Sequence, residues 1–359
     1  MPLSDELCSA IEVLQGPSIE GDVGLGHTAV AALVLALPLA IGTLVEAQLL
    51  LWFWRVAGDR AVSAALAVIG ILLAVGALFP ALLPFIALVV MPLQGVTCGI
   101  AQATVVAEDT PDRGMARWAV SGSIGDVAGP LMFGAIAYAG GGWRATFAAV
   151  AVVFLAQAVA TAGVPASADT DDDELPEGLV ALGRGLLADR PLLKALVAAS
   201  LCSLLDETLL VFGGLWMAER GDSPTVIGAV FAAHAVGAVL GSLAVEPLIA
   251  KLGADRLLRV ACVCSALAVG AWIAIGSHGA LFAIGLFTAP LYPLAEARAY
   301  KVASPARVAA GSQLVAALDV VWPLVLGLVA DRYGLRVALL VLLVQPVGLF
   351  FAARRPSTR

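Results

Sequence analysis

The sequence predicts an all-α integral membrane protein, with twelve transmembrane helices forming two pseudo-symmetric six-helix bundles and a first helix that is truncated. Three observations carry that prediction. Hydrophobic residues make up 61% of the chain and charged residues 13%, whereas a soluble protein carries about 25% charged residues to cover its surface. Apolar segments of spanning length recur between charged or Gly/Pro clusters. The second half of the chain repeats the first. A spanning helix needs about 20 apolar residues, so twelve use roughly 240 of the 359 present. What remains suffices for short loops, not for a separate soluble domain, so the composition argues against a water-soluble enzyme.

Breaks in the apolar pattern place the spans near 3–20, 27–52, 61–79, 82–107, 115–138, 143–164, 191–219, 224–250, 256–276, 279–303, 307–330 and 335–353. The only long connection, Pro165 to Arg190, holds Asp171, Asp172, Asp173 and Glu174 and then an amphipathic stretch, Leu179 to Leu187. An acid run of that kind reads as a solvated linker. The chain therefore divides into a six-helix bundle over 1–164, an acidic cytoplasmic linker over 165–190, and a second six-helix bundle over 191–359. With both termini cytoplasmic, only Arg144, Arg220, Arg332 and Arg336 fall outside and Arg298 lies within a span. The other Lys and Arg residues sit at cytoplasmic loops or ends, the positive-inside pattern of a multi-pass plasma-membrane protein.

The repeat is visible in short segments. GDVAGPLMFG, residues 125–134, aligns with LDVVWPLVLG, which sets Asp319, Pro323 and Gly327 on Asp126, Pro130 and Gly134. Upstream, Pro111 and Arg113 match Pro305 and Arg307. Spans one and seven share the acid pairs Asp5-Glu6 and Asp206-Glu207, and spans two and eight end in GTLVE and GSLAVE, bringing Glu46 and Glu246 to similar depth. Parallel repeats place the binding site of such a protein near the bilayer midplane where the halves meet. They also show that span one has four residues before Asp5 where span seven has many more before Asp206. A helix stub ending in hydrocarbon would expose unpaired amides, so either the reading frame begins upstream of Met1, the expectation here, or neighbouring helices and water cover the stub.

Two six-span halves with parallel repeats and a central loop resemble the major facilitator superfamily of secondary transporters, and the resemblance covers essentially the whole chain. In span five, Gly125, Gly129, Pro130 and Gly134 resemble the drug/proton antiporter signature, with Phe133 in place of one glycine. Glycines there let helices approach closely and Pro130 frees a carbonyl. At the end of span two, Gly42 and Glu46 keep part of the lock between the halves, while Ala47 and Gln48 replace its basic residues; Arg55, Asp59 and Arg60 follow. In span four, Met91-xx-Gln94-Gly95 keeps the Gln-Gly of the family but lacks the arginine tied to proton transfer. The resemblance implies alternating access by rocking of two bundles about a central site.

The residues carry a signal of their own. A carboxylate at the bilayer centre costs about 2.5–3.5 kcal/mol on insertion scales and calls for a partner, a cavity or a proton. Asp5, Glu6, Glu12, Asp126, Asp206, Glu207 and Asp319 all fall inside spans. They are the candidate proton-coupling or substrate-binding residues, with Asp206 and Glu207 leading and Asp5 as the pseudo-symmetric partner. Asp126 and Asp319 also fit the role of neutral acids that pin helices. Glu46 and Glu246 are gating candidates, and Glu296 with Arg298 reads as a local salt bridge or inner gate. His234 reads as a packed core histidine or a proton relay. Trp52, Trp54, Trp143 and Trp216 fall near span ends, as interfacial anchors do, while Trp322 and Tyr292 lie deeper.

Cys8, Cys98, Cys202, Cys262 and Cys264 sit in apolar runs without metal-ligand spacing to the three histidines, so neither a metal nor a cofactor is expected. The net charge of −7 gives no reason to expect a nucleic-acid partner. VSGSIGD lacks the first glycine of a nucleophile elbow and no Walker-type phosphate loop is present, so the chain does not read as an enzyme. The sequence points to a monomeric, proton-coupled exporter of a small amphipathic or cationic organic molecule. Uptake or symport of a small metabolite, and a transporter-derived sensor or lipid-handling protein that no longer transports, are the alternatives.

Overall fold

The computed structural model describes residues 3–4, 6, 37–56, 61–163, 178–316, 319 and 321–353. Every regular element among them is helical. Among the described residues, ten helical stretches are long and apolar enough to cross a membrane, and they fall on predicted spans three to twelve within a few residues. Leu37–Val56 covers the second part of span two. Most of predicted span one, with Asp5 and Glu12, lies outside the described residues, which include Leu3, Ser4 and Glu6 of it. So do the linker acids and Asp59 and Arg60.

Helices dominate because a chain in hydrocarbon must pair its own amides. Their ends follow from local chemistry. Asp189 accepts from the amide of Leu192 at 3.2 Å and begins Arg190–Ser200, with Pro191 in the first turn. Ser223 begins Pro224–Leu252 in the same way. Span nine, Ala254–Ile275, stops at Gly276, whose φ of 70° is left-handed and whose amide bonds Trp272 O; that backbone conformation favours glycine.

The described chain forms two compact units. One comprises residues 1–108, 124–185 and 304–314; the other comprises 109–123, 186–303 and 315–359. The first packs Leu66, Ile69 and Leu73 of span three against Phe147 and Phe154 of span six. The second packs Leu204, Leu209, Trp272, Leu281 and Leu339 into one core, and Leu257, Cys262, Leu294 and Leu349 into another. Large apolar residues also cover the outside, among them Ile71, Phe85, Val159, Leu267 and Leu328. In water such a surface would be a liability, but in lipid it is a solvated one.

One expectation is corrected. Trp143 and Trp216 stand near span ends yet are buried, Trp216 edge-to-face with Trp272 at 5.0 Å. Their rings turn into the helix cores, where a large ring buries more apolar area than at an interface. The spans also differ in continuity. Spans three to six are single helices, even across Pro92 and Pro130. Span seven instead runs as Arg190–Ser200, a 3-10 segment Leu201–Leu205, and Glu207–Glu219. Span ten is split into Gly279–Thr288 and Leu291–Tyr300, the second preceded by Pro290. Span twelve passes through a 3-10 segment, Leu339–Leu343.

Candidate functional site

The break in span seven falls at Asp206. The 3-10 turn ends there with φ −113° and ψ −102°, outside the helical region, and the helix resumes at Glu207. An interruption at membrane depth must satisfy the amides it frees. One of them is met by Gln345 of span twelve, 1% exposed, whose Oε1 accepts from the Leu205 amide at 2.7 Å. Asp206 itself is exposed. Six residues earlier, Ser200 Oγ donates to Asp319 Oδ1 of span eleven at 2.5 Å. Glu296 of span ten is only 2% exposed. Cys202, buried between Ser200 and Asp206, lies within electrostatic reach of Asp206, Glu296, Asp319 and Cys262. Asp206, Glu296 and Asp319, from spans seven, ten and eleven, therefore all lie within electrostatic reach of Cys202 in the second unit.

Arg298 does not pair with its neighbour Glu296. Its guanidinium binds Asp255 at 2.6 Å and the carbonyls of Ala352 and Ala353 at 3.1 and 3.5 Å. Residues two apart on a helix do not face each other, so the local-bridge reading fails on geometry. Arg298 instead ties the start of span nine to the end of span twelve. His234 is buried, and its Nε2 has no hydrogen-bond partner among the described residues. Around it, spans eight and ten meet backbone to backbone. Gly237 and Gly241 lie on the Phe282 and Leu286 carbonyls, and Gly285 lies on that of His234.

In the first unit, the Glu46 carboxylate rests on Gly95, in the space a Cβ would take. That explains the glycine of Gln94-Gly95, which sequence reading assigned only by resemblance. Gly125 packs on Leu3 and Glu6, and Ser4 donates to Gln157 at 2.8 Å. Gly125 and Gly129 are buried, Asp126 and Pro130 are exposed, and a Cβ added at Gly134 would meet nothing within 4 Å. The antiporter-like motif thus has one packed end and one open end.

Residues 109–123 open span five but belong to the second unit. There Arg117 bridges Asp109 at 3.2 Å and Glu246 at 3.5 Å. Lys301 holds both oxygens of Asp112 at 2.7 Å, and Ser123 bonds Ser242 at 2.9 Å. The repeat-equivalent start of span eleven, residues 304–314, belongs to the first unit, where Gly99 faces Leu50 and Ala309. Sequence reading singled out Glu246 but missed Asp112, Arg117, Lys301, Ser200 and Gln345. The opposite charges at the starts and ends of spans were the available signal for the first three. Nothing in a single sequence marks Ser200 or Gln345.

Ten apolar helical stretches of spanning length among the described residues and an apolar exterior mark a polytopic helical membrane protein. The sequence matches the Major Facilitator Superfamily over residues 13–319, and the chain belongs to that family. The fold is similar to that of the E. coli fucose:proton symporter, with a TM-score of 0.71 at 15% identity over 100% of this chain and 96% of that one. It is similar to a bacterial homologue of the iron transporter ferroportin in an outward-facing state with soaked iron, with a TM-score of 0.72 at 16% identity over 99% and 98%. It is also similar to the human organic anion transporter MFSD10, with a TM-score of 0.68 at 16% identity over 98% and 96%. No protein of curated function matches the chain in sequence.

Proposed function

We propose that this chain is a secondary active transporter of the plasma membrane, with both termini cytoplasmic, that exports a small amphipathic or cationic organic molecule in exchange for protons. The carrying observation is Asp206: an exposed carboxyl where span seven leaves the helix, with Asp319 and Glu296 within electrostatic reach of the same Cys202. In this reading Asp206 and Glu207 take protons from outside as substrate leaves. They lose them to the cytoplasm when the site faces inward, and the restored negative charge draws in the next cation. Asp126, Glu6, Asp5 and Glu12 supply the corresponding groups of the first half. The pairs Arg117–Glu246 and Lys301–Asp112 act as a gate at the start of span five, and Glu46 over Gly95 as a second gate element.

The test is transport of a lipophilic cation into inside-out vesicles under an imposed proton gradient. Asp206→Asn should remove proton-driven uptake while leaving the purified protein folded, by its melting curve. Coupling that survives in this variant refutes the assignment. A second reading, uptake by proton symport, draws on the fucose:proton symporter among the similar structures; accumulation in right-side-out vesicles, driven by an inward proton gradient, would favour it.

A further inference from the structure

Span nine has two faces. Leu257, Leu258, Ala261 and Cys262 are buried, while Arg256, Arg259, Val260, Val263 and Leu267 are exposed. The exposed set follows the helical spacing, so it forms one stripe. Alongside its first half runs a groove of about 480 Å³ whose far wall is Phe350 of span twelve, with Arg256, Arg259, Val260, Val263 and Cys264 lining the rest. The groove is charged at one end and apolar along the remainder.

The charge at that end is not spent internally. The only acid in the first turn, Asp255, has its carboxylate bound to Arg298 at 2.6 Å. Arg259 uses Nε on the backbone carbonyl of Asp255 at 3.2 Å, which leaves its two terminal nitrogens. Arg256 makes no ion pair or hydrogen bond among the described residues. From Arg256 to Leu267 the stripe rises about 16 Å at 1.5 Å per residue, close to half the ~30 Å hydrocarbon core. Two guanidiniums at the headgroup level above one leaflet's depth of apolar wall match a phosphodiester carrying acyl chains. Arginine binds phosphate oxygens in a bidentate fork, and basic pockets between spanning helices hold anionic headgroups. A soluble phosphate would leave the apolar wall uncovered, and a zwitterionic headgroup would bring its own cation beside the two arginines.

We propose that this groove is a binding site for an anionic phospholipid, with the phosphate on Arg256 and Arg259 and an acyl chain along Val260, Val263 and Phe350. The lipid would clamp the start of span nine to the end of span twelve, the junction that Arg298 closes from the inner side. The site rests on the membrane-spanning arrangement and is independent of substrate and transport direction.

The experiment uses the purified protein without substrate and counts retained lipid by native mass spectrometry against phosphatidylglycerol, cardiolipin and phosphatidylcholine. The wild type should retain one anionic lipid in preference to phosphatidylcholine. The double variant Arg256→Gln/Arg259→Gln should bind it about twenty-five-fold more weakly, at roughly fivefold for each charge removed. Arg332→Gln, remote in sequence from the groove, should bind like the wild type. Equal retention of phosphatidylcholine by the wild type, or unchanged anionic-lipid binding in the double variant, overturns the site. Should the double variant not fold, Phe350→Trp provides the reading. Brominated phosphatidylglycerol should quench the added tryptophan more than brominated phosphatidylcholine does, and equal quenching overturns the proposal.

Discussion

Gly285→Ala tests the backbone seam between spans eight and ten. A Cβ at residue 285 would fall on the His234 carbonyl oxygen and 3.0 Å from the Ala238 amide nitrogen. Ordinary van der Waals contact lies at 3.4–4 Å, and the obstructing atoms are backbone, so no side chain can swing aside. The helices must part instead. A gap of 0.5–1 Å already forfeits about a quarter to a half of the dispersion attraction across it, and overpacking of this kind costs about 1–3 kcal/mol. Gly228→Ala, in span eight with nothing within 4 Å, supplies the contrast, because alanine there gains about 0.5–1 kcal/mol of helix preference. Thermal unfolding in detergent, followed by tryptophan fluorescence, should show Gly285→Ala melting several degrees below the wild type, at about 2–4 °C per kcal/mol. Gly228→Ala should melt at or above it. If both variants melt together, the seam is not a close contact and the reasoning fails.

Gln345→Leu should strand the buried Leu205 amide and lower stability by about 1–3 kcal/mol, read by the same melting curves; Gln345→Glu, which retains an acceptor, should lose less. Lys301→Ala should cost under about 1 kcal/mol, since the pair with Asp112 is partly exposed. The exchange Lys301→Asp with Asp112→Lys should recover transport that Lys301→Asp alone loses; no recovery would remove the pair from the gate.

Much of the architecture was legible from composition and periodicity. Spans three to twelve appear where the apolar runs stand, because hydrocarbon leaves a long apolar segment little choice but helix. The amphipathic stretch after the linker acids forms Leu179–Ala188, with Leu182 and Leu186 turned inward. The interruptions in spans seven, ten and twelve were not legible. A break depends on partners such as Gln345 that lie far away in the chain, and Pro92 and Pro130 show that proline alone does not make one.

The sequence by itself determined the membrane environment, the number and placement of most spans and the pool of acids from which a site is built. Those follow from residue chemistry counted along the chain, which one dimension preserves. Only the tertiary structure decided which acids meet, that Arg298 answers Asp255 and not Glu296, and that Gly95 exists to seat a carboxylate. Those outcomes depend on which helix faces turn toward each other. A face is shared between residues hundreds of positions apart, and in a membrane the outward face is as apolar as the inward one, so hydrophobic pattern cannot tell them apart.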